Sequence, residues 1–169
     1  MENPVIIIGA SGLGAVALDI FKRNNVVVYA FLDDNEKLHN TEIDDITVLG
    51  SPDDEGYTKL IGKKCEAFVA IDETKVRKNI VEMLHDVRKV QPVNAIHDQS
   101  IIASTASIGH GNLIAAGAII NPRAEIGNHN ILHSRVLIDV DAKVGDFVQI
   151  GAGTVIGAGA VIEDNAFIG

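Results

Sequence analysis

The sequence predicts two architectures in one chain: a Rossmann-like α/β domain followed by a left-handed parallel β-helix. Two observations support this prediction. In the first half, short apolar runs alternate with amphipathic segments, which is typical of a parallel sheet covered by helices. In the second half, an aliphatic residue recurs at every sixth position from Ile102 to Ile168, twelve times without a break.

The first half opens with a strand, a glycine turn and a helix. Val5–Ile8 is a continuous apolar run, as expected of a buried parallel strand, and the helix is predicted from about Leu13 to Arg23. Further strands are predicted in "NVVVYAFLDDN", "ITVLG", "CEAFVAI" and "RKVQPVN". Further helices are predicted in "DDEGYTKLIG" and "ETKVRKNIVEMLHDV". The alternation indicates a parallel sheet.

The turn "GASGLG" is the first candidate binding site. Its spacing is G-x-x-G-x-G, which differs from the dinucleotide pattern G-x-G-x-x-G. It still places backbone N–H groups and a helix N-terminus where a phosphate can bind, and the acids that end the second strand can accept ribose or base hydrogen bonds. A tight turn without a ligand remains the alternative. The candidate substrate-binding residues are Gly9, Ser11, Gly12, Gly14, Asp33 and Asp34.

The six-residue period of the second half fits short strands joined by tight turns, with three hexads in each triangular coil. Residues 18 apart then share a face, which predicts one interior column of Ile108, Ile126, Val144 and Ile162. Twelve hexads make about four coils. Because terminal repeats normally need a cap, we expect a longer natural chain or a partner to cover the last coil.

The distribution of charge suggests where the two domains meet. Residues 1–99 hold 17 acidic and 11 basic residues, whereas residues 100–169 hold 6 and 3. We therefore expect domains at 1–98 and 99–169.

Composition argues against several classes of protein. The net charge of −9 and the lack of tryptophan and of a basic patch argue against nucleic-acid binding. No apolar run approaches the roughly 20 residues of a membrane span, so no membrane partner is expected. The single cysteine, Cys65, excludes an internal disulfide and fits a cytoplasmic location.

Both halves together resemble a known family. The stretches "VIIIGASGLG", "AFLDDN", "ITVLGSPDD", "NAIHDQSIIASTASIG" and "AGAIINPRAEIGNHNIL" are similar to the sialic acid O-acetyltransferase and UDP-amino-sugar N-acetyltransferase family of hexapeptide-repeat sugar acyltransferases. The resemblance implies a homotrimer whose first domain binds a nucleotide-sugar. It also implies that acetyl-CoA lies along the β-helix between subunits, here against Gly153 and Gly157, and that no metal is needed.

The chain departs from this family where the family's chemistry resides. The family's catalytic histidine, followed by a carboxylate, matches Val140 and Asp141. Two further family histidines match Leu13 and Gln149. The residues that specify the fold therefore match the family's pattern, whereas several residues of the family's active site are different here.

His133, which matches a family asparagine, is the best replacement for the missing base. A histidine beside a carboxylate can remove the proton of an attacking amine or hydroxyl. We expect His133 to lie near a subunit boundary, oriented by Asp139 or Asp141.

Three functions remain open from the sequence. The first is transfer of an acetyl group from acetyl-CoA to an amino or hydroxyl group of a nucleotide-activated sugar, with a UDP-sugar expected, for surface glycan synthesis. The second is a catalytically silent homologue that binds a nucleotide-sugar or a partner. The third, an NAD-type oxidoreductase module, is disfavoured by the irregular glycine pattern and the lack of a second catalytic domain.

Overall fold

The structure, a computed structural model, describes residues 2–169 and divides into two compact units. The first ends at Val93, and the second is Asn94–Gly169. The boundary thus falls a few residues before the change in composition. Each unit has its own regular structure.

The first unit is a mostly parallel sheet with helices. The sheet order is β3-β4-β2-β1-β5, and every pairing is parallel except that of the β3–β4 hairpin. Its strands are β1 (Val5–Ile8), β2 (Val28–Leu32), β3 (Glu42–Ile43), β4 (Ile46–Gly50) and β5 (Glu66–Val69). Its helices are α1 (Gly12–Arg23), α2 (Glu55–Thr58) and α3 (Thr74–Met83).

Helix α1 confirms the predicted helix and forms for local reasons. Its buried residues, which include Leu13, Ala17 and Phe21, recur at the four-residue spacing of one helix face. Lys22 and Arg23 lie in its last turn, where positive charge complements the helix dipole. The Phe21 ring meets Phe68 of β5 edge to face at 5.7 Å, which packs the helix on the sheet.

Two predicted elements of this unit differ from the structure. The helix predicted in "DDEGYTKLIG" is one turn, Glu55–Thr58, capped by the Asp54 carboxylate, which accepts from the Gly56 N–H at 2.8 Å. The strand predicted in "RKVQPVN" is wrong. A π-helical turn at Leu84–Arg88 leads into Lys89 at a φ of 57°, and Pro92 has no N–H to donate to a ladder.

The second unit is the predicted left-handed parallel β-helix. Thirteen two-residue strands form three parallel sheets, ordered β16-β13-β10-β7, β17-β14-β11-β8 and β18-β15-β12-β9-β6. Neighbouring strands pair residues that are 18 apart, as in Ile120 with Ile138. The strands are β6 (Ala95–Ile96), β7 (Ile101–Ile102), β8 (Ser107–Ile108), β9 (Leu113–Ile114), β10 (Ile119–Ile120), β11 (Glu125–Ile126), β12 (Ile131–Leu132), β13 (Leu137–Ile138), β14 (Lys143–Val144), β15 (Gln149–Ile150), β16 (Val155–Ile156), β17 (Val161–Ile162) and β18 (Phe167–Ile168).

The predicted interior column is confirmed. Ile126 pairs with Ile108 and Val144, and Val144 pairs with Ile162, all within the β8–β17 sheet. Ile126 and Val144 are buried in the hydrophobic core, and Ile108 and Ile162 pack against it half-buried. The second residue of each strand therefore faces the coil interior.

An asparagine ladder runs up one corner of the coils. Asn94, Asn112 and Asn130 stand 18 residues apart, and each side-chain oxygen accepts the backbone N–H one coil further on, at 2.7 to 2.9 Å. Each amide nitrogen donates to the carbonyl of the glycine 15 residues later. Asn112 and Asn130 are fully buried, so the ladder satisfies polar groups that the core would otherwise leave unpaired.

Candidate functional site

A pocket of about 160 Å³ opens at the carboxyl ends of β1, β2 and β5. These are the ends of adjacent parallel strands, where open α/β sheets bind ligands. Its lining joins the glycine turn to the loops that follow β2 and β5. Polar and turn residues of the lining include Gly9, Ser11, Asp33, Asp34 and Asp72, and aliphatic ones include Ile71, Val76 and Ile80.

The glycines of the turn have different roles. Gly9 has a φ of 114° and lies so close to the Ala70 carbonyl that no Cβ would fit. A Cβ on Gly14 would strike the Gly9 carbonyl, so Gly14 lets α1 begin against the turn. A Cβ on Gly12 would meet no atom within 4 Å. Of the six predicted binding residues, Gly12 and Gly14 are outside the pocket lining and the other four belong to it.

Asp33 ties the loop after β2 to the glycine turn. Its Oδ2 accepts from the Ala10 N–H and its Oδ1 from the Asn35 N–H, each at 2.8 Å. Asp34 is exposed beside it. Asp33 therefore shapes the turn, while Asp34 presents its carboxylate at the pocket.

Arg77 of α3 is outside the pocket lining but holds the loop after β5 that belongs to it, a role that the sequence analysis missed. It is 1% exposed, and its Nη1 donates to the carbonyls of Ile71 and Asp72 at 2.8 and 3.0 Å. Burial lowers the pKa of Arg77 to about 10, and the Asp72 charge opposes that shift. The guanidinium stays charged at neutral pH and fixes the loop that lines the pocket. The sequence predicts that an arginine on an amphipathic helix lies at the surface. Its role in holding the loop becomes evident only from its hydrogen bonds to the carbonyls of Ile71 and Asp72.

In the second unit, the predicted acids are held by partners other than histidine. Asp141 forms a two-point ion pair with Arg123, 18 residues earlier, with an Nε–Oδ1 distance of 2.7 Å and an Nη2–Oδ2 distance of 2.9 Å. The hydrogen bond from Arg123 holds the pKa of Asp141 below its ordinary value. Asp139 accepts from the Asn121 side chain at 2.9 Å and from the Val140 N–H at 2.7 Å, and these bonds lower its pKa.

His133 has a different neighbour from the predicted one. Its Nε2 lies 3.1 Å from Oε1 of Gln149, which is 6% exposed. Within residues 2–169, no hydrogen bond joins His133 to Asp139 or Asp141. The structure therefore brings together His133 and Gln149, two positions at which the chain differs from the family that it resembles, and the predicted hydrogen bond from His133 to an aspartate is not among those described for residues 2–169.

Gly153 and Gly157 lie exposed on the later coils. A Cβ built on either would meet no atom within 4 Å. This surface is open to a flat or extended ligand. Contact of these glycines with CoA stays a prediction.

Across residues 2–169, no three His, Cys, Asp or Glu side chains gather as they would around a metal ion. None of the helices described there has the length and apolar character needed to cross a membrane.

Two family models match the chain. Residues 4–84 match the PglD N-terminal domain, and residues 141–169 match the bacterial transferase hexapeptide repeats. A curated relative, the GDP-perosamine N-acetyltransferase of Escherichia coli O157:H7, is 32% identical over 103 residues. That match covers 60% of this chain and 45% of the relative, so the chain matches less than half of the relative's length.

Two solved structures resemble nearly the whole chain. One is a mutant GDP-perosamine N-acetyltransferase from Caulobacter crescentus in complex with CoA and GDP-perosamine: TM-score 0.68, 24% identity, 99% of this chain and 92% of that one. The other is the acetyltransferase domain of PglB from Neisseria gonorrhoeae with acetyl coenzyme A: TM-score 0.76, 18% identity, 99% and 85%. At these identities the two structures establish a shared fold. The chain thus has one segment that matches the PglD N-terminal domain and another that matches the bacterial transferase hexapeptide repeats, and it is similar to sugar acetyltransferases of the hexapeptide family.

Proposed function

We propose that this chain transfers an acetyl group from acetyl-CoA to an amino or hydroxyl group of a nucleotide-activated sugar, in surface glycan synthesis. The observation that carries the proposal is the pairing of a glycine-turn pocket with a β-helix in one chain. The Caulobacter protein, which shares this fold, binds CoA and GDP-perosamine.

The chemistry of the pocket supports a nucleotide as its ligand. The N-terminus of α1 offers backbone N–H groups to a phosphate beside Ser11, whose side chain makes no cap bond. Asp34 and Asp72 offer acceptors to ribose hydroxyls or to the N–H groups of a base. No lysine or arginine belongs to the described lining, so in this proposal the helix terminus alone binds the phosphates. Calorimetry with UDP- and GDP-sugars determines which base binds.

The outer face of the β7–β16 sheet supports assembly into a homotrimer, and the proposal places CoA along the β-helix. Its outward residues, Ile101, Ile119, Leu137 and Val155, are all aliphatic, and Ile101 and Val155 are each 66% exposed. The corresponding column on the β8–β17 sheet includes Ser107, Glu125 and Lys143. Burial of the aliphatic column against another subunit removes it from water. A stable monomer at micromolar concentration in a sedimentation experiment contradicts this arrangement.

A cytoplasmic location belongs to the same proposal. The single cysteine, Cys65, is free and 3% exposed, as suits a reducing compartment.

A catalytically silent homologue is the second candidate, and one observation favours it. Val140 stands where the family has its base, and a valine cannot exchange a proton. The neighbouring Asp141 is occupied by Arg123. On this alternative the chain binds a nucleotide-sugar or a partner without turnover.

An acetylation assay, combined with calorimetry of nucleotide-sugar binding, separates the two candidates. The full chain is incubated with acetyl-CoA and UDP- or GDP-linked amino sugars, and the masses of the products are measured by mass spectrometry. Acetylated sugar supports the transferase, provided that it is absent without protein. Binding of a nucleotide-sugar without acetylated product supports the silent homologue.

A further inference from the structure

The contact between His133 and Gln149 joins two neighbouring coils of the β-helix. His133 follows β12, and Gln149 begins β15, the strand that pairs with β12. The His133 N–H donates to the Ile150 carbonyl at 3.0 Å, and the Gln149 N–H donates to the Ala166 carbonyl at 3.0 Å. Both backbones are therefore fixed in the ladder, which brings the two side chains close enough for the 3.1 Å contact between Nε2 and Oε1.

The chemistry of the two groups determines where the imidazole proton lies. The Oε1 atom of Gln149 has no hydrogen and can only accept, so Nε2 of His133 must carry the proton that it donates. In the opposite tautomer, two lone pairs would face each other at that distance. In a neutral ring the other nitrogen, Nδ1, then holds the available lone pair.

Nδ1 is left for another partner. Within residues 2–169 the structure describes no hydrogen bond at this atom, and His133 is half-buried. The described side-chain hydrogen bonds of Asp139 and Asp141 go to Asn121, to the Val140 N–H and to Arg123, and none goes to His133. A proton acceptor with a fixed tautomer is what general-base catalysis requires.

We propose that Gln149 is a positioning residue that holds His133 in the Nε2–H tautomer, so that Nδ1 accepts the proton of the attacking group. The second half of this statement rests on the proposed function. As the bond from the sugar's nitrogen or oxygen to the acetyl carbon forms, the thioester C–S bond breaks and the proton moves to Nδ1. The departing CoA thiolate then takes a proton from the imidazolium, which restores the neutral ring.

The tautomer is measured directly by long-range ¹H–¹⁵N NMR on the labelled full chain. The spectrum is recorded at about pH 8, above the ordinary histidine pKa of about 6.5. His133→Asn identifies the signal by its loss. We expect the Nε2–H pattern in the native chain. A predominant Nδ1–H pattern overturns the proposal, because the Gln149 amide would then present its nitrogen to the ring.

Three variants test the role of Gln149. Gln149→Leu and Gln149→Met remove the acceptor while keeping an apolar volume, and either one is sufficient if the other does not fold. Both should shift His133 to a mixture of tautomers. Gln149→Glu keeps an acceptor oxygen and should preserve the Nε2–H form. An unchanged tautomer in whichever apolar variants fold refutes the positioning role. His110→Ala, at an exposed position, is the matched control and should leave the His133 signal unchanged.

Kinetics of the same variants test the catalytic half. Gln149→Leu should lower kcat by about 10-fold or more, with KM for the sugar little changed. The loss should not exceed the roughly 10²–10⁴-fold cost of losing the general base itself. Gln149→Glu should recover most of that loss. If the native chain shows the Nε2–H tautomer but transfers no acetyl group, the proposed function fails and the base role with it. The NMR result then still determines whether Gln149 positions His133.

Discussion

Arg123 and Asp141 form a two-point ion pair between neighbouring coils, with N–O distances of 2.7 and 2.9 Å. By the resemblance on which the site prediction rests, Asp141 follows the position of the catalytic histidine. Arg123 therefore bonds to both oxygens of a carboxylate that was predicted to orient an imidazole. The pair is exposed, so its contribution to stability is small. Its importance is that it keeps Asp141 from orienting an imidazole.

Removal of Arg123 should release Asp141. In Arg123→Ala the pKa of Asp141 should rise toward the ordinary value of about 3.9, because the hydrogen bond and the positive charge that favour the carboxylate are gone. A ¹³C-detected carboxyl titration measures it.

The lowered pKa of Asp141 determines how the stability contributed by the Arg123–Asp141 pair changes with pH. The native pair contributes its stabilisation above the unfolded pKa, and the contribution is lost as the pH falls through the folded pKa. Lys143→Ala is the control, since it removes the Lys143–Glu125 pair and keeps the Arg123–Asp141 pair intact. An equal pKa of Asp141 in Arg123→Ala and the native chain contradicts the assignment.

Restoration of the family's histidine should depend on the same pair. Val140→His places an imidazole next to Asp141, but Arg123 still holds the carboxylate. We expect little added acetyl transfer from the single variant and a clear gain from Val140→His with Arg123→Ala, measured with acetyl-CoA and the preferred nucleotide-sugar. Equal rates in the single and double variants would show that Arg123 does not restrain the site.

Disruption of the asparagine ladder should destabilise the β-helix. Asn130→Ala removes the acceptor of the Val148 N–H and the donor to the Gly145 carbonyl, at a fully buried position. A buried polar group without its partner costs about 1–3 kcal/mol, and denaturant unfolding should report a loss of at least this size. Asn121→Ala, which loses one bond to Asp139 at a half-buried position, should cost less. Equal losses from the two would contradict the ladder's structural role.

The glycine turn offers a matched pair of substitutions. Gly9→Ala should unfold or strongly destabilise the first unit, because Gly9 has a φ of 114° and its Cβ would overlap the Ala70 carbonyl. Gly12→Asp should preserve the fold, since the space there is open, and should weaken nucleotide-sugar binding by placing a negative charge where phosphates are proposed to lie. Thermal melts and calorimetry measure the two effects. Undiminished binding by a folded Gly12→Asp would place the phosphates elsewhere.

The β-helix interior could be predicted from the sequence because it depends only on the spacing of aliphatic residues along the chain. An aliphatic residue every sixth position, with coils of three hexads, is sufficient to align Ile126 with Ile108 and Val144. The same period showed only that Asn112 and Asn130 are of modest size. Their ladder appears when neighbouring coils place each amide beside a backbone N–H and a glycine carbonyl.

The contacts of the candidate site could not be read from spacing in the same way. The hexad register puts His133 one corner away from Asp139, which suggested a pair. Hydrogen bonds across coils instead join His133 to Gln149 and Asp139 to Asn121. Arg77 was missed because its charge predicts exposure, whereas two backbone carbonyls hold it in the interior. Side-chain direction and long-range neighbours determine such contacts.

Acetyl transfer by the native chain, measured beside His133→Asn, tests the central claim most directly. Product is followed by mass spectrometry with acetyl-CoA and UDP- and GDP-linked amino sugars, and calorimetry confirms that the variant still binds the sugar nucleotide. The account predicts transfer by the native chain and a loss of roughly 10²–10⁴-fold in His133→Asn, the usual cost of removing a general base. Robust transfer that is unaffected by His133→Asn, or a native chain that binds the nucleotide-sugar and never acetylates it, would contradict the account.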